Sequence, residues 1–136
     1  MEGGIKEVSF YRFGKAVNSI RTAEELLDNG NLSFAQNRAY YAAFDAIRSV
    51  TALDNFDSSK HSGIISYFNQ NYVKTGIFPA EVSKIIRMAF MLREKSDYED
   101  FYEPDYEDTE LVIHQVNILI NYIRDYLSEK GILSES

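Results

Sequence analysis

Apolar residues recur along this chain at three- and four-residue steps, the period of helices packed on one side. Phe10, Phe13, Val17, Ile20 and Leu27 predict a first helix over about 5–28, ended by "DNGN". Asn31 and Ser33 are cap signals for a second helix reaching about Leu53. Its apolar face is small: Ala35, Ala39, Ala42, Ala43 and Ala46. Such a face lets neighbouring helices come close, so this is the expected central helix.

After the possible caps Asp57, Ser58 and Ser59, a third helix puts Ile64, Ile65, Phe68 and Tyr72 on one side, and "KTGIFP" breaks it. The fourth starts at Pro79, with Val82, Ile85, Ile86, Ala89, Phe90 and Leu92 expected inward. The fifth runs from about Asp105 to Lys130 and ends at Gly131; its acidic start and basic end suit the helix dipole. No alternating strand pattern or internal repeat competes. The expectation is an all-α, antiparallel up-and-down four-helix bundle with an additional fifth helix, as one domain over 1–136.

A chain of 136 residues that is 45% hydrophobic can bury a core and does not read as disordered. No apolar run approaches the ~18 residues of a membrane span, and the start lacks a signal-peptide layout. With no cysteine there is no disulfide framework or thiolate site. A soluble cytoplasmic protein is expected. The net charge of −7 is uneven, because eight carboxylates and no base lie between Asp97 and Glu110. An acidic field disfavours nucleic acid overall but leaves room for a local basic patch.

The acidic tract lacks the order and the glycine of a calcium loop, and reads as a solvated connection plus the first turn of the fifth helix. His61 follows capping serines and reads as a surface or capping residue; His114, among Leu111, Ile113 and Val116, reads as structural. Neither stands at zinc-ligand spacing, and no Gly-rich phosphate loop is present, so neither metal nor cofactor is expected. Arg38, Tyr41, Asp45 and Arg48 form a polar stripe that is either an internal ion-pair ladder or the wall of a polar groove. Arg93 and Asp97, four apart, are either a plain helix pair or part of a site.

Taken together, "NRAYYAAFDAIRSV", "SSKHSGIISYFNQNYVKTGIF" and "MLREKSDYEDF" resemble the HEPN family over about residues 8–128. The resemblance implies a four-helix up-and-down core with an extra helix and a homodimer. It also implies a minimal nucleotidyltransferase as partner in a toxin–antitoxin pair. Active members are metal-independent ribonucleases with an Arg-x4–6-His motif from each protomer; the His moves a proton and the Arg steadies the scissile phosphate. Here Arg93 matches the Arg, but the positions where His belongs are Tyr98, Glu99 and Asp100. The expected function is therefore an interaction subunit, catalytically weak or inactive. One alternative is a ribonuclease toxin using Arg93 with Asp97 and Tyr98, with His61 brought in from elsewhere in the fold. Another is a nucleotide- or RNA-binding module using Arg38, Tyr41 and His61. Tyr98 is also a possible acceptor for modification by the nucleotidyltransferase.

Overall fold

A computed structural model describes residues 2–133. It holds five α-helices: α1 (Glu2–Asp28), α2 (Leu32–Thr51), α3 (His61–Phe68), α4 (Glu81–Tyr98) and α5 (Tyr106–Glu129). A 3-10 turn, Ala52–Asp54, prolongs α2, and a π turn, Asn69–Val73, prolongs α3. Among the described residues there is no strand, and no helix is long and apolar enough to cross a membrane.

The alanine face makes α2 the centre, in contact with every other α-helix. Ala35, Ala39, Ala42, Ala43 and Ala46 are all buried, and their small side chains permit close backbone approach. The inward face of α1 is Ser9, Phe13, Ala16, Ile20, Ala23 and Leu27, an unbroken three–four spacing. Phe10, expected inside, is 58% exposed, because it lies one position (about 100°) from that face. Ser9 takes the inner place and satisfies its hydroxyl by donating to the Ser49 carbonyl at 2.6 Å. In α4 the buried set is Val82, Ile85, Ile86, Ala89 and Leu92. Phe90 again stands one step off and is 40% exposed.

Helix ends differ from the expected caps where backbone geometry dominates. Asn31 precedes α2 but makes no side-chain cap bond. Its N–H instead closes the end of α1 on Leu26 O at 2.8 Å, around Gly30 at φ +77°. Asp57 and Ser58 shape the turn ahead of α3 by accepting from the Ser58 and Lys60 N–H groups, and the helix itself begins at His61. Pro79 lies two residues before α4. Its carbonyl accepts from Val82 N and that of Ala80 from Ser83 N, a tighter first turn than the α-helical one. Asp105, expected as the first residue of the fifth helix, instead stands just before α5 and caps it, accepting from Asp108 N at 3.1 Å. Gly131, at φ +77°, ends α5 with Ile132 N bonded to Leu127 O.

Two polar devices hold the connections against this core. The Asp54 carboxylate accepts from Tyr67 Oη at 3.0 Å and Tyr72 Oη at 2.7 Å, and Phe56 stacks on Tyr67 at 3.9 Å. The fully buried Gln36 joins three elements. Its amide donates to Thr109 Oγ1, and its carbonyl accepts from Ser96 Oγ and Tyr102 Oη. The end of α4, the acidic connection and the start of α5 are thereby fastened to α2.

Candidate functional site

Arg93 sits about one turn before the end of α4, facing α2. Its Nε donates to Asp97 Oδ2 at 2.8 Å and Nη1 to Glu94 Oε2 at 3.3 Å. Nη2 donates to Tyr41 Oη at 3.1 Å and Tyr98 Oη at 3.3 Å. The rings of Tyr40, Tyr41 and Tyr98 lie 5.3, 5.5 and 5.3 Å from the guanidinium carbon. Burial works against this charge, but Tyr41, Tyr98 and Asp97 outweigh it and hold the Arg93 pKa above its ordinary value. The pair with Asp97 is therefore more than a helix-surface contact. Asn37 of α2 also donates to both Asp97 oxygens, at 3.0 and 3.3 Å, tying the two helices together.

Arg38 donates to Asn37 Oδ1 and lies 4.9 Å from the Tyr41 ring, so two guanidinium groups flank that tyrosine. His61, the first residue of α3, points back at α2. Its Nδ1 is 2.8 Å from Tyr40 Oη, and its ring stacks on Phe44 at 4.0 Å. Burial, then the positive charges of Arg93 and Arg48, lower its pKa, with Asp45 opposing. The imidazole is neutral at neutral pH, and a neutral ring keeps one nitrogen able to accept a proton. Burial likewise raises the pKa of Tyr40 and keeps its hydroxyl protonated.

Arg38, Tyr41, His61, Arg93, Asp97 and Tyr98 thus converge on one face built by α2, α3 and α4. His61 is no mere capping residue, since it is packed among aromatic rings. Tyr40, Phe44 and Glu94 also belong to the cluster. The four-residue step from Tyr40 to Phe44 was the only signal in the sequence for the first two. Part of the polar stripe breaks up: Asp45 is buried yet makes no hydrogen bond or ion pair among the described residues, and Arg48 turns to Asp57 instead. His114 is exposed on α5 beside Glu107 and Glu110, away from the cluster, and not a core residue. Among the described residues no group of three or more His, Asp or Glu side chains could hold a metal ion.

Beyond this geometry, the sequence itself matches a known class of small domains. The HEPN domain profile matches residues 11–126, and the chain belongs to the HEPN family. A protein of Methanocaldococcus jannaschii named "Putative toxin" is 29% identical over 119 residues, 88% of this chain and 81% of the relative. A second protein of that organism with the same description is 29% identical over 114 residues, 84% of each chain. A UPF0332 protein of Thermotoga maritima is 29% identical over 124 residues, covering 91% of this chain and 93% of the relative.

Proposed function

We propose that this HEPN protein is an interaction subunit of a toxin–antitoxin-like pair, dimerising and binding a minimal nucleotidyltransferase in the cytoplasm, with weak or no catalysis of its own. The reading takes the helices as a four-helix up-and-down core with a fifth helix added, forming one domain. The observation that carries it is the engagement of Arg93. Each of its three nitrogens donates to an acceptor of the chain itself, two of them carboxylates. A phosphate would have to displace charge-assisted bonds already made, beside a tract of carboxylates that repels it. Tyr98, where the family's His would stand, shares its hydroxyl with Arg93 and is 67% exposed. It is open to modification by such a partner. The relatives named as toxins support the paired role.

Co-expression with a neighbouring nucleotidyltransferase, followed by purification and light scattering, tests this. A co-purifying complex containing a dimer is expected. A strict monomer that never co-purifies refutes the proposal.

The place of His61 supports a second reading, a metal-independent ribonuclease. A neutral imidazole lies in the same aromatic cluster as Arg93. In that chemistry His61 would accept the 2′-hydroxyl proton as the 2′-oxygen bonds to phosphorus. The P–O5′ bond would break with the 5′-oxygen taking a proton from water, and Arg93, released from Asp97, would hold the phosphate. RNA cleavage by pure protein, abolished in both Arg93→Ala and His61→Ala, would establish it. Intact RNA after long incubation removes it.

A further inference from the structure

We propose that Arg12 and Arg48 form a binding site for a phosphoryl group, separate from the Arg93 cluster. The proposal stands whether or not the chain cleaves RNA. Arg12 on α1 and Arg48 on α2 lie side by side with side chains only 17% and 26% exposed. Their compensation is poor. Arg12 reaches the Arg48 carbonyl only at 3.5 Å, and its Nη2 is 3.8 Å from Asp57 Oδ2, too far for a hydrogen bond. Arg48 Nη2 meets Asp57 Oδ1 at 3.3 Å, while its Nε is wholly removed from solvent with no acceptor. Burial, then the neighbouring Arg48 charge, hold the Arg12 pKa below its ordinary value.

The other charged groups facing this pair do not complete it. Asp45, buried nearby, bonds to neither arginine. Lys15 adds a further positive charge around Asp45. Asp57 is 60% exposed, and its Oδ1 also accepts from the Ser58 N–H at 2.8 Å, so it is shared between the turn and the arginines. Placing two guanidinium groups together away from water is costly unless their hydrogen bonds are filled. A carboxylate is already present, and it leaves the buried Arg48 Nε without an acceptor. An anion with three or four oxygens fits the deficit, and the planar fork of arginine matches phosphate well.

Access exists. A cleft of about 420 Å³ opens beside Arg12, walled by Ile5, Val8, Phe56 and Asp57. A phosphoryl group entering there would meet Arg12 and displace Asp57 from Arg48. The apolar wall would face whatever carries the phosphate. That carrier is either a mononucleotide or an RNA strand.

The test uses the full chain at low salt, titrated with inorganic phosphate, AMP and a single-stranded RNA octamer. Calorimetry gives affinities, and arginine Nε–H resonances give location. The Arg48 Nε–H signal should shift on titration of the unaltered protein. Arg12→Gln should weaken binding about tenfold or more, the usual effect of losing a charge-assisted hydrogen bond. Asp57→Asn should tighten it by removing the competing carboxylate, an effect that a misfolded variant would not produce. In Arg93→Gln the phosphate-induced shift of the Arg48 Nε–H signal should persist. Octamer binding far tighter than AMP assigns the site to RNA, and comparable affinities assign it to a nucleotide. No shift of Arg48 Nε–H with any of the three probes overturns the proposal. So does unchanged affinity in Arg12→Gln, or binding of a polyglutamate peptide in place of every phosphate probe.

Discussion

Replacing Gln36 with Leu should loosen the end of α4 that carries Arg93, Asp97 and Tyr98. Gln36 is fully buried, and leucine has nearly its volume, so the change removes hydrogen bonds without opening a cavity. Three bonds are lost: the amide to Thr109 Oγ1 at 2.9 Å, and the carbonyl to Ser96 Oγ at 2.5 Å and Tyr102 Oη at 3.1 Å. At about 1 kcal/mol each they amount to about 3 kcal/mol. Two features reduce the loss. Thr109 keeps its donor bond to the Asp105 carbonyl at 2.7 Å, and Ser96 and Tyr102 are only half-buried and can turn to water. The apolar gain from leucine offsets a further part, leaving a net loss of about 2 kcal/mol. Urea unfolding followed by helical circular dichroism should show a lower midpoint at unchanged slope. Amide exchange over residues 99–105 should quicken as well. A loss below about 0.5 kcal/mol with unchanged exchange would refute the clamp, since surface substitutions commonly stay within that range.

Three other perturbations test different parts of the structure. His61 has its pKa lowered from 6.5, so the folded chain holds fewer protons there than the unfolded one. Its contribution to stability is complete above pH 6.5 and declines as pH falls through 6.5 toward the lowered value. Urea midpoints across this range should show that slope, and His61→Gln should flatten it. At Gly63 an added Cβ would lie 2.9 Å from Ser58 Cβ and closer still to its hydroxyl. Gly63→Ala should therefore cost about 1–2 kcal/mol in thermal unfolding, and Ser58→Gly in the same chain should restore most of it. Asp105→Ala should cost about 1 kcal/mol through its lost cap bond, whereas Asn31→Ala, where no such bond exists, should cost almost nothing.

Much of this molecule was legible in the sequence, for a definable reason. Helical periodicity is a local property, and the alanine run of α2 states directly that other backbones approach there. The five helices, the centrality of α2 and the Gly131 stop all follow from residues within a turn of one another. The identity of Arg93, Asp97 and Tyr98 as a group was equally local, since one helical turn brings them together.

Tertiary packing decided the rest. The inward direction of a helix is set by what it packs against, so Ser9 entered the core and Phe10 did not, and Phe90 stayed at the edge. His61 lies 32 residues from Arg93 in sequence, and no spacing rule connects them. Their common aromatic cluster exists because Tyr40 and Tyr41 of α2 stand between α3 and α4. The poorly compensated Arg12 and Arg48 are likewise invisible in a chain with net charge −7. Local periodicity determines which side chains share a helix face, and only the packing of one helix on another determines which faces meet and which charges must share a partner.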